Sequence, residues 1–179
     1  IAKQKSPKNI AYHVASAHSL PFLKDGSVDN IAIVLALQNI ENFNETLAEC
    51  VRTLAPTGKL YLVLNHPTFR IPKASSWGFS AGGGPASGGD ESKKWVQYRR
   101  IDAYLSPSKI EIAMHTGLNK KKTVSFHRPL QTYFKALHKH GFVVARLEEW
   151  NSAKRSQKGP RAEAEDRARK EFPLFMALE

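Results

Sequence analysis

Apolar residues fall along the chain at two spacings, and the switches between them mark the elements. Ile10 to Ala15 is a short run with β-branched and aromatic members, which predicts a strand. Ser16 to Asp25 then reads as a connection, and Asp25-Gly26 as a turn. Asp29 to Leu37 is almost continuously apolar, the pattern of a strand covered on both faces. Between Asn42 and Leu54 the spacing changes to that of a helix, with Leu47, Val51 and Leu54 on one face and Asn44 as N-cap. Pro56-Thr57-Gly58 ends it, and Lys59 to Leu64 predicts the next strand. Strand, helix and strand in that order imply a crossover connection, and the economical architecture is a doubly wound α/β sheet.

The middle of the chain breaks the pattern. Trp77 to Asp90 holds six of the 11 glycines, and such a stretch is expected to form a flexible loop. Trp95 to Leu105 and Lys109 to His115 are candidate strands, and Ser106-Pro107-Ser108 between them suits a hairpin turn. Lys120-Lys121-Lys122 reads as a solvated loop before a strand-like segment, Thr123 to His127. Helical spacing returns after Pro129, with Leu130, Tyr133, Phe134 and Leu137 on one face and His140-Gly141 as the stop. Phe142 to Leu147 predicts a strand and Arg161 to Lys170 a charged helix with Glu163/Arg167, Glu165/Arg169 and Asp166/Lys170 at i,i+4 spacing. Phe172 to Leu178 predicts a final strand.

Composition narrows the function classes. The 179 residues are 41% hydrophobic and 24% charged, which excludes a disordered tail, a collagen or a coiled coil. No apolar run nears the ~20 residues of a bilayer span, so no membrane role is expected. One cysteine, Cys50, excludes a disulfide within the chain and a cysteine-based zinc site, and suits a reducing, cytoplasmic setting. Lys and Arg exceed Asp and Glu by 27 to 16, a formal +11 that favours acidic partners, nucleic acid among them. The bases are spread along the chain without an RNA-recognition motif, so nucleic acid is not the favoured partner. His138 and His140 at i,i+2 do not share a helix face, and no metal site is expected.

Several segments together carry a family resemblance. Ser16-Ala17-His18-Ser19-Leu20-Pro21-Phe22 resembles the Asp-Ala-x-x-Leu-Pro-Phe connection of class I methyltransferases that use S-adenosyl-L-methionine (SAM). Asp25 to Asp29 resembles the acidic turn before their fourth strand, and Leu37-Gln38-Asn39-Ile40 the segment leaving it. Arg52 to Leu60 resembles their Arg-x-Leu-x-Pro-Gly-Gly helix end and fifth strand, with Thr57-Gly58 at the Gly-Gly turn. Pro129 to Val144 resembles a late helix and an Ala-Gly-Phe-x-Val strand. The family's glycine-rich loop and the acid that binds the ribose are not found, and a longer parent protein is expected to supply them.

The resemblance implies a Rossmann-like methyltransferase sheet, incomplete at the N-terminus. Residues 1-70 and 123-179 would form the C-terminal part of that domain, and residues 71-122 an inserted lid. It implies SAM as cofactor and a small-molecule acceptor, with RNA methylation or a non-catalytic basic binding module as rivals. Ligands of open α/β sheets sit beyond the carboxyl ends of the strands. Ser16, Ala17 and His18 are therefore expected to contact the cofactor, as are Leu37 and Gln38. Beyond the next strand, His66 is the expected general base, since imidazole titrates near neutrality. Asn65 and Arg70 would hold the substrate, and His127-Arg128 would line the same mouth. The sequence leaves the oligomeric state open.

Overall fold

The computed structural model describes residues 7, 9–81, 95–116 and 119–179. A four-stranded sheet organises them. β1 (Val28–Val34) pairs in parallel with β2 (Leu54–Asn65), and α1 (Phe43–Thr53) makes the crossover. The last strand, β8 (Phe175–Leu178), inserts antiparallel between β2 and β7 (Leu147–Trp150), giving the order β1-β2-β8-β7. β1, β2 and β7 thus run one way and β8 the other. α2 (Leu130–Lys139) precedes β7, and α3 (Ala162–Glu171) lies between β7 and β8.

The core lies on one face of this sheet. Leu60, Leu62 and Leu64 alternate inward along β2, with Met176 and Leu178 beside them on β8. α1 closes over them through Phe43, Leu47 and Cys50, and α2 through Tyr133, Ala136 and Leu137. Phe43 and Tyr133 meet edge to face with ring centroids 5.4 Å apart. β1 was expected to be covered on both sides, but it alternates. Ile31 and Ile33 pack on the core, whereas Ala32 and Val34 on the opposite face are exposed.

Other expectations shift too. Ile10 to Ala15 forms no strand. Among the described residues no neighbour offers it a ladder, and Val14 is wholly exposed. Asn42, not Asn44, is the N-cap of α1, and Val51 turns outward while Cys50 and Thr53 turn in. Phe142 to Arg146 run outside the ladder, so β7 starts at Leu147. α2 ends in a full Schellman motif. Gly141 has φ of +80°, its N–H donates to His138 O, and Phe142 N–H donates to Leu137 O.

The interposed region is built of two hairpins. β3 (Ser75–Ala81) pairs with β4 (Trp95–Ile101), so Trp77 to Ala81 are strand rather than loop; residues 82–94, with the remaining glycines of that stretch and Lys93-Lys94, lie outside the described residues. β5 (Ser108–Thr116) pairs with β6 (Asn119–His127), not with the strand at Trp95. The lysine run 120–122 is therefore part of β6, and Lys122 reaches Glu111 across the pair at 2.8 Å. β6 continues unbroken past residue 122 to His127. The β3–β4 hairpin rests on α3: Arg161 stacks over Phe79 and Trp95, and Trp77 meets Phe172 edge to face. Two of the three expected ion pairs form on α3, Glu163–Arg167 and Glu165–Arg169; Asp166 instead accepts the backbone N–H of Ser156.

Candidate functional site at the carboxyl edge of the sheet

Because β1 and β2 are parallel, the segments that leave them emerge at one edge. Val34 pairs with Val63, so Leu35 to Gln38 and Asn65 to Arg70 leave side by side. A 3₁₀ turn, Leu37–Asn39, follows β1. Leu37 is fully buried beneath it, and its carbonyl accepts the Ile40 N–H. Gln38 is 7% exposed; its Nε2 donates to Leu35 O at 2.8 Å, while its Oε1 is buried without a partner. A buried amide oxygen left unpaired costs about 1–3 kcal/mol, so this position fits a hydrogen-bond donor on a ligand.

The β5–β6 hairpin is sewn to the same edge. Asn39 Nδ2 donates to Val124 O at 2.7 Å. Arg128, just past β6, stacks its guanidinium on Phe43 and Phe126, and its Nη2 donates to Ile40 O at 2.7 Å. Gln38, Asn65, Arg70, His127, Arg128 and Tyr133 consequently line one narrow cleft of about 20 Å³, which as it stands admits a single polar group. Five of them, all but Tyr133, are residues expected at the site from the sequence. Burial raises the pKa of the Tyr133 phenol, which keeps it protonated as a donor.

The two histidines differ in what their rings have left to offer. His66 is 3% exposed, and its Nε2 lies 2.8 Å from Glu149 Oε1. Its Nδ1 accepts the backbone N–H groups of Thr68 and Phe69 at 3.2 and 3.3 Å. Those donors fix the proton on Nε2, which donates to the carboxylate. In this geometry neither nitrogen is free to take a proton from a substrate; the ring organises the turn after β2. His127 Nε2 donates to Tyr104 O at 2.7 Å, which leaves Nδ1 as a lone-pair site on a residue lining the cleft. The Tyr104 hydroxyl accepts the Leu130 N–H, so this residue also caps the start of α2.

Ser16, Ala17 and His18 do not line the cleft. They form a small turn beside it, closed by a bridge between Ser16 and Ser19. Ser16 Oγ lies 2.8 Å from His18 Nδ1, and the same nitrogen lies 3.4 Å from Asn42 Nδ2 at the head of α1. Glu49 and Arg52 of α1 hold the following connection: Leu20 N–H donates to Glu49, and Arg52 donates to Leu20 O and Leu23 O. Phe22 lies outside the core, stacked on His13. A larger cavity, about 460 Å³, opens at the opposite edge among Leu54, Pro56, Leu60, His140 and Phe142. It contains none of the predicted residues and sits away from the strand ends that an open α/β sheet uses for ligands.

Sequence reasoning missed Glu149, the partner of His66, because nothing local to Leu147–Trp150 signals a long-range pair. Tyr133 carried the right helical spacing and reads as core, yet it also lines the cleft.

Comparison with known proteins bears on the fold. Residues 1–62 match the family model described as methyltransferase domain. The chain is 42% identical over 52 residues to the ubiquinone/menaquinone biosynthesis C-methyltransferase UbiE of Rickettsia peacockii, an overlap of 29% of this chain and 21% of that protein. It spans only about a fifth of that curated relative. Among solved structures, a SAM-dependent methyltransferase from Mesorhizobium loti superposes with a TM-score of 0.64 at 24% identity, over 98% of this chain and 72% of that one. A putative SAM-dependent methyltransferase from Listeria monocytogenes gives 0.63 at 18% identity, over 98% and 71%. The fold is that of the class I SAM-dependent methyltransferases, and the first third of the chain matches the methyltransferase domain in sequence as well.

Proposed function

We propose that this chain is the acceptor-facing part of a SAM-dependent methyltransferase acting on a small molecule. The observation that carries the reading is the convergence of Gln38, Asn65, Arg70 and His127 at the one edge where an α/β sheet binds ligands. SAM, when bound, supplies a methyl group activated on a sulfonium. The unpaired Oε1 of Gln38 fits an N–H or O–H of the cofactor, and the Ser16 hydroxyl oxygen has lone pairs left for another. Ala17 and His18 would complete that side, over the buried Leu37.

For the acceptor, the work is mainly positioning. Asn65 and Arg70 hold it, and His127 Nδ1 takes the proton released as its nucleophilic atom attacks. His66 acts as a positioning residue, fixing the turn from Pro67 to Arg70. The insertion of 71-122 covers the acceptor. The quinone C-methyltransferase match supports a small-molecule acceptor over RNA. So does the surface, where Lys59, Lys109, Lys122 and Arg100 are each already paired with a carboxylate.

The assignment of roles is tested in the whole protein with two variants. His127→Gln is expected to lower kcat by about 10²–10⁴-fold and leave SAM affinity unchanged. His66→Gln is expected to raise the acceptor KM more than it lowers kcat. Full turnover by the His127 variant would remove it as the base.

A further inference from the structure

The carboxyl-edge cleft holds an unanswered charge. Its lining residues include two arginines and a histidine, Arg70, Arg128 and His127, and no acidic residue. Elsewhere, Arg52, Arg100, Arg146, Arg167 and Arg169 each rest on Asp or Glu. Arg70 has no such partner among the described residues. Its guanidinium lies over the Phe175 ring at 5.0 Å, which holds the plane and leaves the N–H edge free. Desolvation already pulls its pKa down.

A third guanidinium stands behind it. Arg99, on β4, donates from Nε to the carbonyl of Phe69, the residue before Arg70, and from Nη2 to Ser75 Oγ, and it stacks over Trp77 at 4.9 Å. It too lacks a carboxylate among the described residues, and burial together with the charge of Arg70 disfavours its ionisation. Arg128 is pinned through Nη2, while its Nη1 is buried without a hydrogen-bond partner. Like charges drawn together and partly out of water are costly unless an anion joins them. Guanidinium forks match carboxylate and phosphate oxygens in pairs. The buried, unpaired Oε1 of Gln38 in the same lining independently asks for a ligand with a hydrogen-bond donor.

We propose that this cleft binds the anionic oxygen group, carboxylate or phosphate, of a small molecule that carries a hydroxyl or N–H donor beside it. Arg70 and Arg128 donate to the anion, Arg99 raises the local positive potential from the hairpin side, and Gln38 accepts from the neighbouring donor. That the small molecule is the methyl acceptor rests on the function proposed above; that an anion binds here does not.

The test is calorimetry of the protein with benzoate, phenyl phosphate and neutral benzamide, with SAM titrated separately. At least one of the two anions is expected to bind about tenfold or more tightly than benzamide, and the tighter of the two identifies carboxylate or phosphate as the group recognised. Arg70→Met is expected to lose about tenfold of that affinity, Arg70→Lys to retain part of it, and Arg167→Met on α3 to keep all of it. Equal binding of benzamide, or an unchanged Arg70→Met, would overturn the proposal. An equal loss in Arg167→Met would also overturn it, by showing diffuse attraction to a chain of net charge +11. If Arg70→Met weakens SAM instead of the anion, the cleft belongs to the cofactor and the proposal fails. Absence of SAM binding alone would count against the methyltransferase reading and leave the anion result standing.

Discussion

Glu49 shows how a single side chain can hold a connection that has no secondary structure of its own. Its carboxylate accepts from Arg52 and from the Leu20 N–H, and these bonds hold its pKa down to about 2. Arg52 also bonds Asp25 and the carbonyls of Leu20 and Leu23. A carboxyl depressed on folding stabilises above its unfolded pKa, here about 4.5, and that contribution fades as pH falls towards 2. Glu49→Gln is expected to lower stability at pH 7 by roughly 1 kcal/mol, a screened value for a partly exposed network. Its denaturation midpoint should also depend less on pH between about 4.5 and 2 than that of the parent. Equal pH slopes for the two proteins in that window would show that the network does not form. At this scale the sequence was informative where one residue type has one use. Gly141 as a helix stop was legible, whereas the hydrogen-bond partners of His66 and His127 were not. Both are histidines at strand ends, and only the long-range partners Glu149 and Tyr104 distinguish a ring with both nitrogens engaged from one with a nitrogen to spare.

At the scale of elements, β1, α1, β2 and α2 were legible because their own periodicity and end signals specify them. Pairings were not. Ser106-Pro107-Ser108 looked like a hairpin turn, yet β4 pairs back to β3 across residues 82–94, and β5 pairs onward to β6. Local turn chemistry cannot report which of several strands offers the better face. Ile10 to Ala15 has a strand's composition without a ladder partner among the described residues. The β1–β2 pair depends on one close approach that the sequence flagged only as a turn. A Cβ at Gly58 would stand 2.9 Å from Ala55 O and 3.0 Å from Asp29 O, beside the register shift between Val28 and Asn30. Those neighbours are backbone and cannot swing aside. Gly58→Ala is therefore expected to destabilise by about 1–3 kcal/mol in chemical denaturation. A neutral effect would mean that the two strands are not so closely apposed.

For the molecule as a whole, the sheet divides the functional possibilities between two edges. The carboxyl edge gathers polar and cationic groups with spare hydrogen-bonding capacity; the opposite edge holds the larger, mostly apolar cavity. The resemblance in Ser16 to Leu60 gave the fold and half of the edge. It did not give the hairpin contributions, because Arg99 and Tyr104 come from a segment with no counterpart in those motifs. The central claim is that the carboxyl edge, and not the larger cavity, takes the cofactor and its acceptor. The most direct measurement is a map of backbone amide shifts in the whole protein as the demethylated cofactor, S-adenosylhomocysteine, is added. Saturable shifts at Ser16 to His18 and at Leu37 and Gln38, with Gly141 to Ala145 unmoved, are the predicted result. Shifts confined to Gly141 to Ala145, or no binding at all, would contradict it.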